Sequence, residues 1–262
     1  MQSVDLIGLL VPATFFAMLA VERVAPARPF PPRRGWTWLG IGFLLLIGVV
    51  STVLPLLFDA AWLARHRWLD GTRLGVAGGV LAGWLVLSGL SYVWHRTAHT
   101  VPWLWRLTHQ VHHSPQRVDI PGSTLFHPTE MVVQAGLQMF AGLVVLGLDP
   151  MAVAWLGYVA AFHGMFQHWN VRTPRWLGYF IQRPEAHCEH HRRGVHANNY
   201  GDLPWWDMLA GTFVNPQRFD GECGFEAPAD RRLGAMLSFV DVNQPLYGER
   251  SRGVQSMLQA RS

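Results

Sequence analysis

Two long segments of this chain contain no charged residue, and they restrict the fold more than any other feature. Residues 35–58 and 76–94 lack Asp, Glu, Lys and Arg altogether, and a helix needs about 20 mostly apolar residues to cross a bilayer. Residues 6–21 are also uncharged, although this segment is shorter and contains Pro12. Half of the residues are hydrophobic and only 15% are charged, which is typical of a membrane protein. The sequence therefore predicts about three membrane-spanning helices.

Two further apolar segments, residues 131–148 and 151–166, flank Asp149 and Pro150. A tight turn at this pair would join them into a membrane hairpin, and whether the hairpin crosses the bilayer completely is left open. The chain does not begin with the basic region of a signal peptide, so we expect its first helix to be retained. The predicted fold is all-α: a polytopic helical membrane protein with about three spans plus a hairpin.

Arginines indicate which end of the bundle faces the cytoplasm. Arg23, Arg28, Arg33 and Arg34 lie between the first two predicted spans, and cytoplasmic loops carry an excess of basic residues. Alternation of the spans then brings every histidine-rich segment to the cytoplasmic side, although it leaves three arginines of the 59–73 loop outside. The formal net charge of +4 therefore predicts contact with anionic lipid and no nucleic-acid partner.

The remaining segments complete the predicted organisation. Residues 1–80 form an N-terminal transmembrane region, residues 81–215 a catalytic domain and residues 216–262 a polar C-terminal tail. We expect residues 25–35, 59–73 and 114–128 to be loops or irregular segments, because they are rich in proline or mixed in polarity. The two cysteines, Cys188 and Cys223, are expected to stay reduced in a cytoplasmic compartment.

Histidines supply the chemistry of this chain. Eight of the 13 histidines lie in three short runs, two of which share the pattern H-x-x-H-H: His95 and His99; His109, His112 and His113; His187, His190 and His191. Residues three and four apart share one face of a helix, so we expect each run to point its imidazoles in one direction. Clustered imidazoles are costly to bury unless something coordinates them. Three converging faces would hold more than one metal ion.

The types of donor narrow the choice of metal centre. Neutral imidazole suits zinc, copper, iron and nickel, and eight imidazoles exceed the three or four ligands of one zinc site. Ferritin-like di-iron sites use Glu-x-x-His pairs, which this sequence lacks. Mononuclear iron oxygenases use two histidines and one carboxylate, which is a poor match. An all-histidine dinuclear centre next to lipid remains.

Several motifs occur in an order that resembles the membrane fatty acid hydroxylase/sterol desaturase superfamily, over about residues 80–215. The two runs that begin at His95 and His109 resemble its first two histidine boxes, and the run that begins at His187 resembles its last. Between them, Phe126-His127-Pro128-Thr-Glu130 is similar to the His-Pro-x-Glu step of sterol-modifying members, and His168-Trp-Asn170 to an isolated His-x-Asn. Asn199-Tyr200-Gly201 and residues 206–213 resemble the closing signature.

The resemblance implies a non-haem di-iron enzyme that uses O2 to hydroxylate or desaturate a lipid. Its substrate would be a sterol, a fatty acyl chain or another long hydrophobic molecule, with zinc as a possible mismetallation. Electrons would come from a separate donor of the cytochrome b5, ferredoxin or reductase type, and a bacterial inner membrane is favoured over the endoplasmic reticulum. The implied catalytic and metal-ligating residues are His95, His99, His109, His112, His113, His168, His187, His190 and His191.

Three other histidines and a set of acids have two open interpretations each. His163 and His196 are candidate metal ligands or hydrogen-bonding groups, and His127 is favoured as a helix-start residue that supports a ligand. Some nearby acids should accept the second ring N–H of ligating histidines: Asp119, Glu130, Glu185, Glu189, Asp202 and Asp207. Anchoring at the membrane interface is favoured over substrate contact for four tryptophans: Trp103, Trp105, Trp205 and Trp206.

Two other classes of function compete with the lipid oxygenase. A membrane di-zinc metallohydrolase would need a water nucleophile and usually carboxylate ligands, which the histidine runs lack. A non-enzymatic metal-binding or transport protein would place its ligands near the bilayer midplane, whereas these runs follow the apolar segments. Identity of the metal separates the oxygenase from the hydrolase, and an O2-dependent product separates it from the metal-binding protein.

Overall fold

The computed structural model describes residues 3–243, and all regular structure in this range is helical. Its one β-type pairing in this range is an isolated bridge between Arg192 and Cys223. The all-α prediction is confirmed; the predicted tail lies outside the described residues from 244 onward. The α-helices described are α1 (Ser3–Val24), α2 (Trp36–Val53), α3 (Ala60–Arg65), α4 (Gly75–Thr100), α5 (Pro102–Leu104), α6 (Gln110–His113), α7 (Pro128–Met139), α8 (Pro150–His168), α9 (Pro184–His190), α10 (Pro204–Ala210) and α11 (Leu233–Leu237).

Shorter helical segments of other types connect these helices. Two are π-helical, Trp105–His109 and Phe140–Val145. Five are 3-10 turns: Leu54–Leu57, Gly71–Leu74, Pro121–Thr124, Arg175–Tyr179 and Ala229–Arg231. The expectation of a plain loop over residues 59–73 was wrong, because this segment contains α3 and one 3-10 turn. The Asp59 side chain caps α3 by accepting the backbone N–H of Trp62.

Within residues 3–243, three helical segments are long and apolar enough to cross a membrane: Leu6–Val24, Trp36–Leu57 and Gly71–Thr100, with 19, 22 and 30 residues. They correspond to the three spans expected from the uncharged segments. Large apolar side chains on α2, such as Leu45 (66% exposed) and Val49 (56% exposed), point away from the bundle. Such outward apolar surface is stable in lipid and would be a liability in water.

The predicted hairpin consists of α7, the π segment Phe140–Val145 and α8. Asp149 starts α8 by accepting the backbone N–H of Met151 (2.8 Å). Leu148, Ala152 and Leu156 of the hairpin pack with Leu87 of α4. At the turn, the carbonyl of Leu146 accepts the N–H of Gly71 (2.7 Å), a residue that precedes α4. The hairpin therefore runs along the full length of α4.

The arginine-rich connector and the histidine runs lie at the same end of the bundle. The backbone N–H of Ala27 donates to the carbonyl of Asn170 (2.8 Å). Glu22, at the end of α1, accepts the N–H of Ile120 (3.1 Å), and Asp119 accepts the Trp36 indole N–H (3.0 Å). These contacts join the connector 25–35 to the segments beside the second run and beside His168.

Candidate metal centre

Nine buried or half-buried histidines come together at this end of the bundle in two groups. Within each group the candidate ligand atoms lie within 4.8 Å of one another. The five-histidine group contains His95, His99, His109, His113 and His190, and the four-histidine group contains His112, His168, His187 and His191. The structure thus brings together all nine residues to which the resemblance gives ligand roles.

Five helical elements position these side chains. His95 and His99 lie one turn apart near the C-terminal end of α4, and His168 is the last residue of α8. The second run starts at the end of the π segment Trp105–His109 and continues through α6. The third run occupies the end of α9 and its C-cap. Because every run sits at a helix terminus, the ligands gather where the apolar bundle ends.

Each H-x-x-H-H run is divided between the two groups. His109 and His113 belong to the five-histidine group, whereas His112 belongs to the four-histidine group. The third run is divided in the opposite sense, since His190 alone joins the five-histidine group. On a helix with about 100° between neighbours, residue i+4 points about 40° away from residue i, whereas residue i+3 lies about 60° away on the other side and about 100° from residue i+4. The expectation of a single direction was therefore wrong for the two H-x-x-H-H runs, whereas His95 and His99 of the first run both belong to the five-histidine group.

Backbone carbonyls fix the ring orientation of four of these histidines. In each of them, the ring nitrogen Nδ1 lies close to a backbone carbonyl oxygen. The distance is 2.7 Å from His95 to Tyr200 and 3.3 Å from His112 to Leu125. It is 2.8 Å from His168 to Gly164 and 2.6 Å from His190 to Asn198. A carbonyl oxygen can only accept a hydrogen bond, so Nδ1 carries the proton in each ring. Nε2 is then an unprotonated donor atom for a metal, oriented as in known metal sites.

The Nε2 atoms of His112 and His168 test whether these residues fit a metal. They lie 3.1 Å apart, and since both carry a lone pair, they cannot hydrogen-bond to each other. Neighbouring Nε2 atoms in both groups show similar separations: 3.2 Å for His168 and His187, and 3.1 Å for His113 and His190. Two nitrogens bound at right angles to one metal at about 2.1 Å would be about 3.0 Å apart. The donor set therefore fits metal ions.

Burial keeps the imidazoles in the form that binds metal. The pKa of five histidines in the second and third runs lies well below the usual range. Burial is the largest cause, and the proximity of other imidazoles is the next. These residues are His112, His113, His187, His190 and His191. Burial penalises the charged form of histidine. These rings are neutral at pH 7, and no proton has to leave before a cation binds.

Comparison with known proteins agrees with this geometry. Residues 80–212, about half of the chain, match the family model for fatty acid hydroxylases. The chain belongs to the fatty acid hydroxylase family. The matched residues contain all nine histidines of the two groups, and they include most of α4, the hairpin and α10. The resemblance inferred from the order of the histidine motifs is confirmed.

Two curated relatives extend the comparison. An ornithine lipid hydroxylase of Rhizobium tropici is 34% identical over 158 residues, which cover 58% of this chain and 46% of the relative. A cholesterol 25-hydroxylase-like protein of Danio rerio is 26% identical over 156 residues, which cover 55% of this chain and 62% of the relative. The chain therefore spans less than two thirds of the length of either relative. No solved structure matches the chain significantly.

Two of the six candidate acids contact a histidine of this hydroxylase-family chain. A Glu130 oxygen lies 3.6 Å from Nδ1 of His109, and the Trp94 indole N–H donates to the same carboxylate (3.1 Å). An Asp202 oxygen lies 3.4 Å from Nδ1 of His163. Four acids have other partners: Asp119 accepts from Trp36, Glu185 from Thr173, Glu189 from Arg192, and Asp207 from Tyr200 and Gly201.

The three histidines with two open interpretations lie outside both groups. His163 is buried beside Asp202 and the ring of Trp84. His196 packs against the five-histidine group, with its Nδ1 3.1 Å from Nδ1 of His113. His127 caps α7 by accepting the N–H of Thr129 (3.2 Å), as expected of a helix-start residue.

Two aromatic residues cover the five-histidine group, and sequence reasoning missed both. Trp105 is completely buried, with its ring 5.2 Å from His99 and 5.3 Å from His113. Its predicted role as an interface anchor was therefore wrong. The ring of Tyr200 lies 5.3 Å from that of His99. The Asn-Tyr-Gly motif identified the segment of Tyr200, but the sequence held no signal for the inward direction of Trp105.

The other three tryptophans differ among themselves. Trp103 and Trp205 are 56% and 45% exposed, which is compatible with the predicted interface role. Trp206 is half-buried and donates its indole N–H to Ser88 of α4 (2.9 Å). It joins α10 to the membrane-spanning helix.

Residues 216–243, the described part of the predicted tail, follow the family match and pack against the histidine groups. Phe225, Met236 and Val242 are buried and pack with Trp105. The N–H of Gly224 donates to the carbonyl of His191 (3.1 Å), and the N–H of Phe225 donates to that of Ser114 (3.1 Å). One short segment therefore binds the ends of both H-x-x-H-H runs.

Proposed function

We propose that this protein is an O2-dependent lipid hydroxylase of the membrane whose two histidine groups each hold one iron ion. The observation that supports this best is the pair of lone-pair nitrogens on His112 and His168, 3.1 Å apart and unable to bond to each other. Bound iron would supply the oxidising power for attack on an unactivated C–H bond, which no amino-acid side chain can provide.

The protein's own residues would orient the ions and keep water out. Carbonyls such as those of Gly164 and Asn198 hold the ligating rings by their Nδ1 protons, so the donor atoms are in place before an ion arrives. Glu130 lies beside His109 and would stabilise that ring when it binds a cation. Trp105 and Phe225 close the site on the side away from the bundle.

A lipid substrate is supported by the relatives and by the surroundings of the centre. The names of both relatives describe hydroxylation, of an ornithine lipid and of cholesterol. The nine histidines begin where α4, a helix able to span a membrane, ends. We propose hydroxylation of a sterol, a fatty acyl chain or another long hydrophobic lipid; desaturation is the alternative outcome of the same chemistry.

Localisation and organisation follow as parts of the same proposal. The arginine-rich connector lies at the end of the bundle that carries the histidines, which favours the cytoplasmic face of a bacterial inner membrane. A separate protein of the cytochrome b5, ferredoxin or reductase type would deliver electrons from that side. The division at residues 80 and 215 stays a prediction, and we propose that the catalytic unit continues to at least residue 243.

Metal content of the detergent-purified protein, measured by plasma mass spectrometry, tests the proposal. We expect about two irons per chain, one for each histidine group, because each group offers several imidazoles and neutral imidazole is a ligand that suits iron. His112→Ala should lower this to about one and abolish O2-dependent product formation. His66→Ala is the matched control, since His66 is exposed and lies between α3 and α4.

Two results would contradict the proposal. The first is bound zinc, if exchanging that zinc for iron does not lead to O2 consumption; this result would favour the di-zinc hydrolase. Bound iron without any O2-dependent product from the host's extracted lipids would favour a metal-binding protein. Membrane insertion of His112→Ala should equal that of the unaltered chain, which separates loss of the metal from loss of the fold.

A further inference from the structure

An apolar groove of about 680 Å³ lies between α4 and α10. Its lining includes Leu85, Gly89 and Val93 of α4 and Trp206 and Leu209 of α10. Val93 is 62% exposed and Leu209 80% exposed, so the groove opens outward from a helix able to span a membrane. A groove in this position faces lipid chains rather than water.

Packing of Trp206 against α4 shapes the floor of this groove. A side chain at Gly89 would begin 3.1 Å from the Trp206 ring, so the absence of one lets the indole approach. The indole N–H donates to Ser88 (2.9 Å), which fixes the ring in this place. The groove is therefore held open by specific contacts between α4 and α10.

One end of the groove lies close to the five-histidine group. Tyr92 lines the groove, and its ring lies 6.2 Å from that of Tyr200. The ring of Tyr200 lies 5.5 Å from that of His190. Two aromatic rings in sequence therefore separate the end of the groove from the candidate metal ligands.

The positively charged side chain of Arg96 lies at the same end of the groove. Arg96 follows Gly89 and Val93 on one face of α4, it is exposed, and its guanidinium donates to the Tyr92 hydroxyl (3.0 Å). Among residues 3–243, no carboxylate forms an ion pair with Arg96. Asp207 is close enough to feel the charge of Arg96, but its carboxylate oxygens accept hydrogen bonds from Tyr200, Gly201 and Thr212, so the exposed guanidinium can still pair with an anion.

We infer that this groove binds one acyl chain of an anionic membrane lipid, with the headgroup at Arg96. The chain would run from Val93 to Leu85, a distance of about 12 Å along the helix, and would enter sideways from the bilayer. An apolar groove with one arginine at its surface end that forms no ion pair matches an amphiphile with a negative headgroup. That the bound lipid is also the substrate rests on the proposed function.

Photo-crosslinking in vesicles tests this site. The full chain is reconstituted in phosphatidylcholine with a small fraction of phosphatidylglycerol that carries a diazirine on one acyl chain, and cross-linked peptides are quantified by mass spectrometry. We expect peptides of α4 and α10 to be labelled more than those of α2, which also exposes large apolar side chains. Arg96→Gln should lower the labelling about fivefold, through loss of one charge near the surface.

Filling the groove gives a second variant that leaves the bundle's packing intact. Val93→Trp places a ring in the groove from an exposed position and should lower the labelling of α4 and α10 about tenfold. Val49→Trp is the matched control on α2, where the valine is 56% exposed, and it should leave that labelling unchanged.

The outcomes separate this site from the proposed function. Two outcomes would show ordinary lipid contact and overturn the inference. In one, α4 and α10 are labelled no more than α2; in the other, an equal amount of labelled phosphatidylcholine gives the same labelling of α4 and α10. Iron content is measured on the same samples. Specific labelling without iron would leave the groove standing and count against the hydroxylase.

Discussion

The two histidine groups share the same two H-x-x-H-H runs but are anchored by different parts of the molecule. In the five-histidine group, His95 and His190 are held by the carbonyls of Tyr200 and Asn198, which belong to one loop between α9 and α10. In the four-histidine group, the corresponding carbonyls are those of Gly164, within α8, for His168 and of Leu125, which follows the 3-10 turn Pro121–Thr124, for His112. The carbonyls that anchor the five-histidine group therefore come from one loop, and those that anchor the four-histidine group come from other parts of the chain.

The loop that anchors the five-histidine group has an unusual backbone. Asn198 and Asn199 adopt positive φ angles of 66° and 48°, a region that asparagine tolerates better than most residues. Asp207 accepts the N–H groups of Tyr200 and Gly201 (2.9 and 2.7 Å) and so holds the loop in this form. Because this loop anchors only the five-histidine group, a change in the loop should alter that group while the four-histidine group keeps its ligand positions.

The largest expected effect comes from two adjacent histidines that belong to different groups. His190→Ala and His191→Ala should each lower the iron content from about two to about one per chain, but at different sites. Combining His190→Ala with His113→Ala, within one group, should remove no further ion. Combining it with His187→Ala, across groups, should remove both, as measured by plasma mass spectrometry.

Equal losses of iron in the two double variants would contradict the separation into two groups. They would mean that the nine imidazoles act as a single site. The unaltered chain and the two single variants serve as controls for the double variants, because all of the substitutions lie in the same two runs.

A smaller effect on both groups is expected from Gly224→Ala. Gly224 has a φ of +76°, and a Cβ there would lie 2.1 Å from the carbonyl oxygen of Pro115. The backbone strain alone costs about 1–3 kcal/mol, and the displaced segment would release the carbonyls of His191 and Ser114. We expect a lower free energy of unfolding and a parallel loss of both ions.

Gly35→Ala is the matched control for this backbone effect. Gly35 has a φ of +71° and nothing within 4 Å of its Cβ position, so it carries similar strain without the collision. It should lose stability while the protein still binds two ions. Loss of only one ion in Gly224→Ala would show that the segment after residue 221 serves one group rather than both.

The sequence was most informative where a property is local. Uncharged segments predicted the three spans because the energy of a helix in lipid depends on the composition of that segment alone. The nine ligand positions came from motif order, and the structure places all of them together. Neither prediction required knowledge of how the helices approach each other.

Features that depend on helical phase and on contacts between elements were missed. Trp103 and Trp105 are two positions apart and identical in kind, yet only Trp105 is buried, because residues two apart on a helix point about 200° away from each other. The H-x-x-H-H spacing turns the middle histidine about 100° away from the last one, but the histidines that it meets there come from other helices. The role of Gly224 depends on a neighbour more than 100 positions earlier in the chain.

The smallest effect expected here sharpens the difference in anchoring. Asp207→Asn keeps the shape of the side chain but replaces one accepting oxygen with an N–H donor, so one of the N–H groups of Tyr200 and Gly201 loses its partner. Only the loop of the five-histidine group is loosened. We expect about tenfold weaker iron binding at one of two sites, the size typical for loss of a group that supports a ligand, in a stepwise chelator titration.

Asp149→Asn is the matched control for this last substitution. Asp149 caps α8 at the opposite end of the hairpin, and asparagine is an equally good helix cap, so both steps of the titration should stay unchanged. If Asp207→Asn weakened both ions equally, the loop would support the centre as a whole, and the two groups would not be separately anchored. A change confined to one step would establish that a single carboxylate, which touches no candidate ligand itself, sets the affinity of one ion through the backbone.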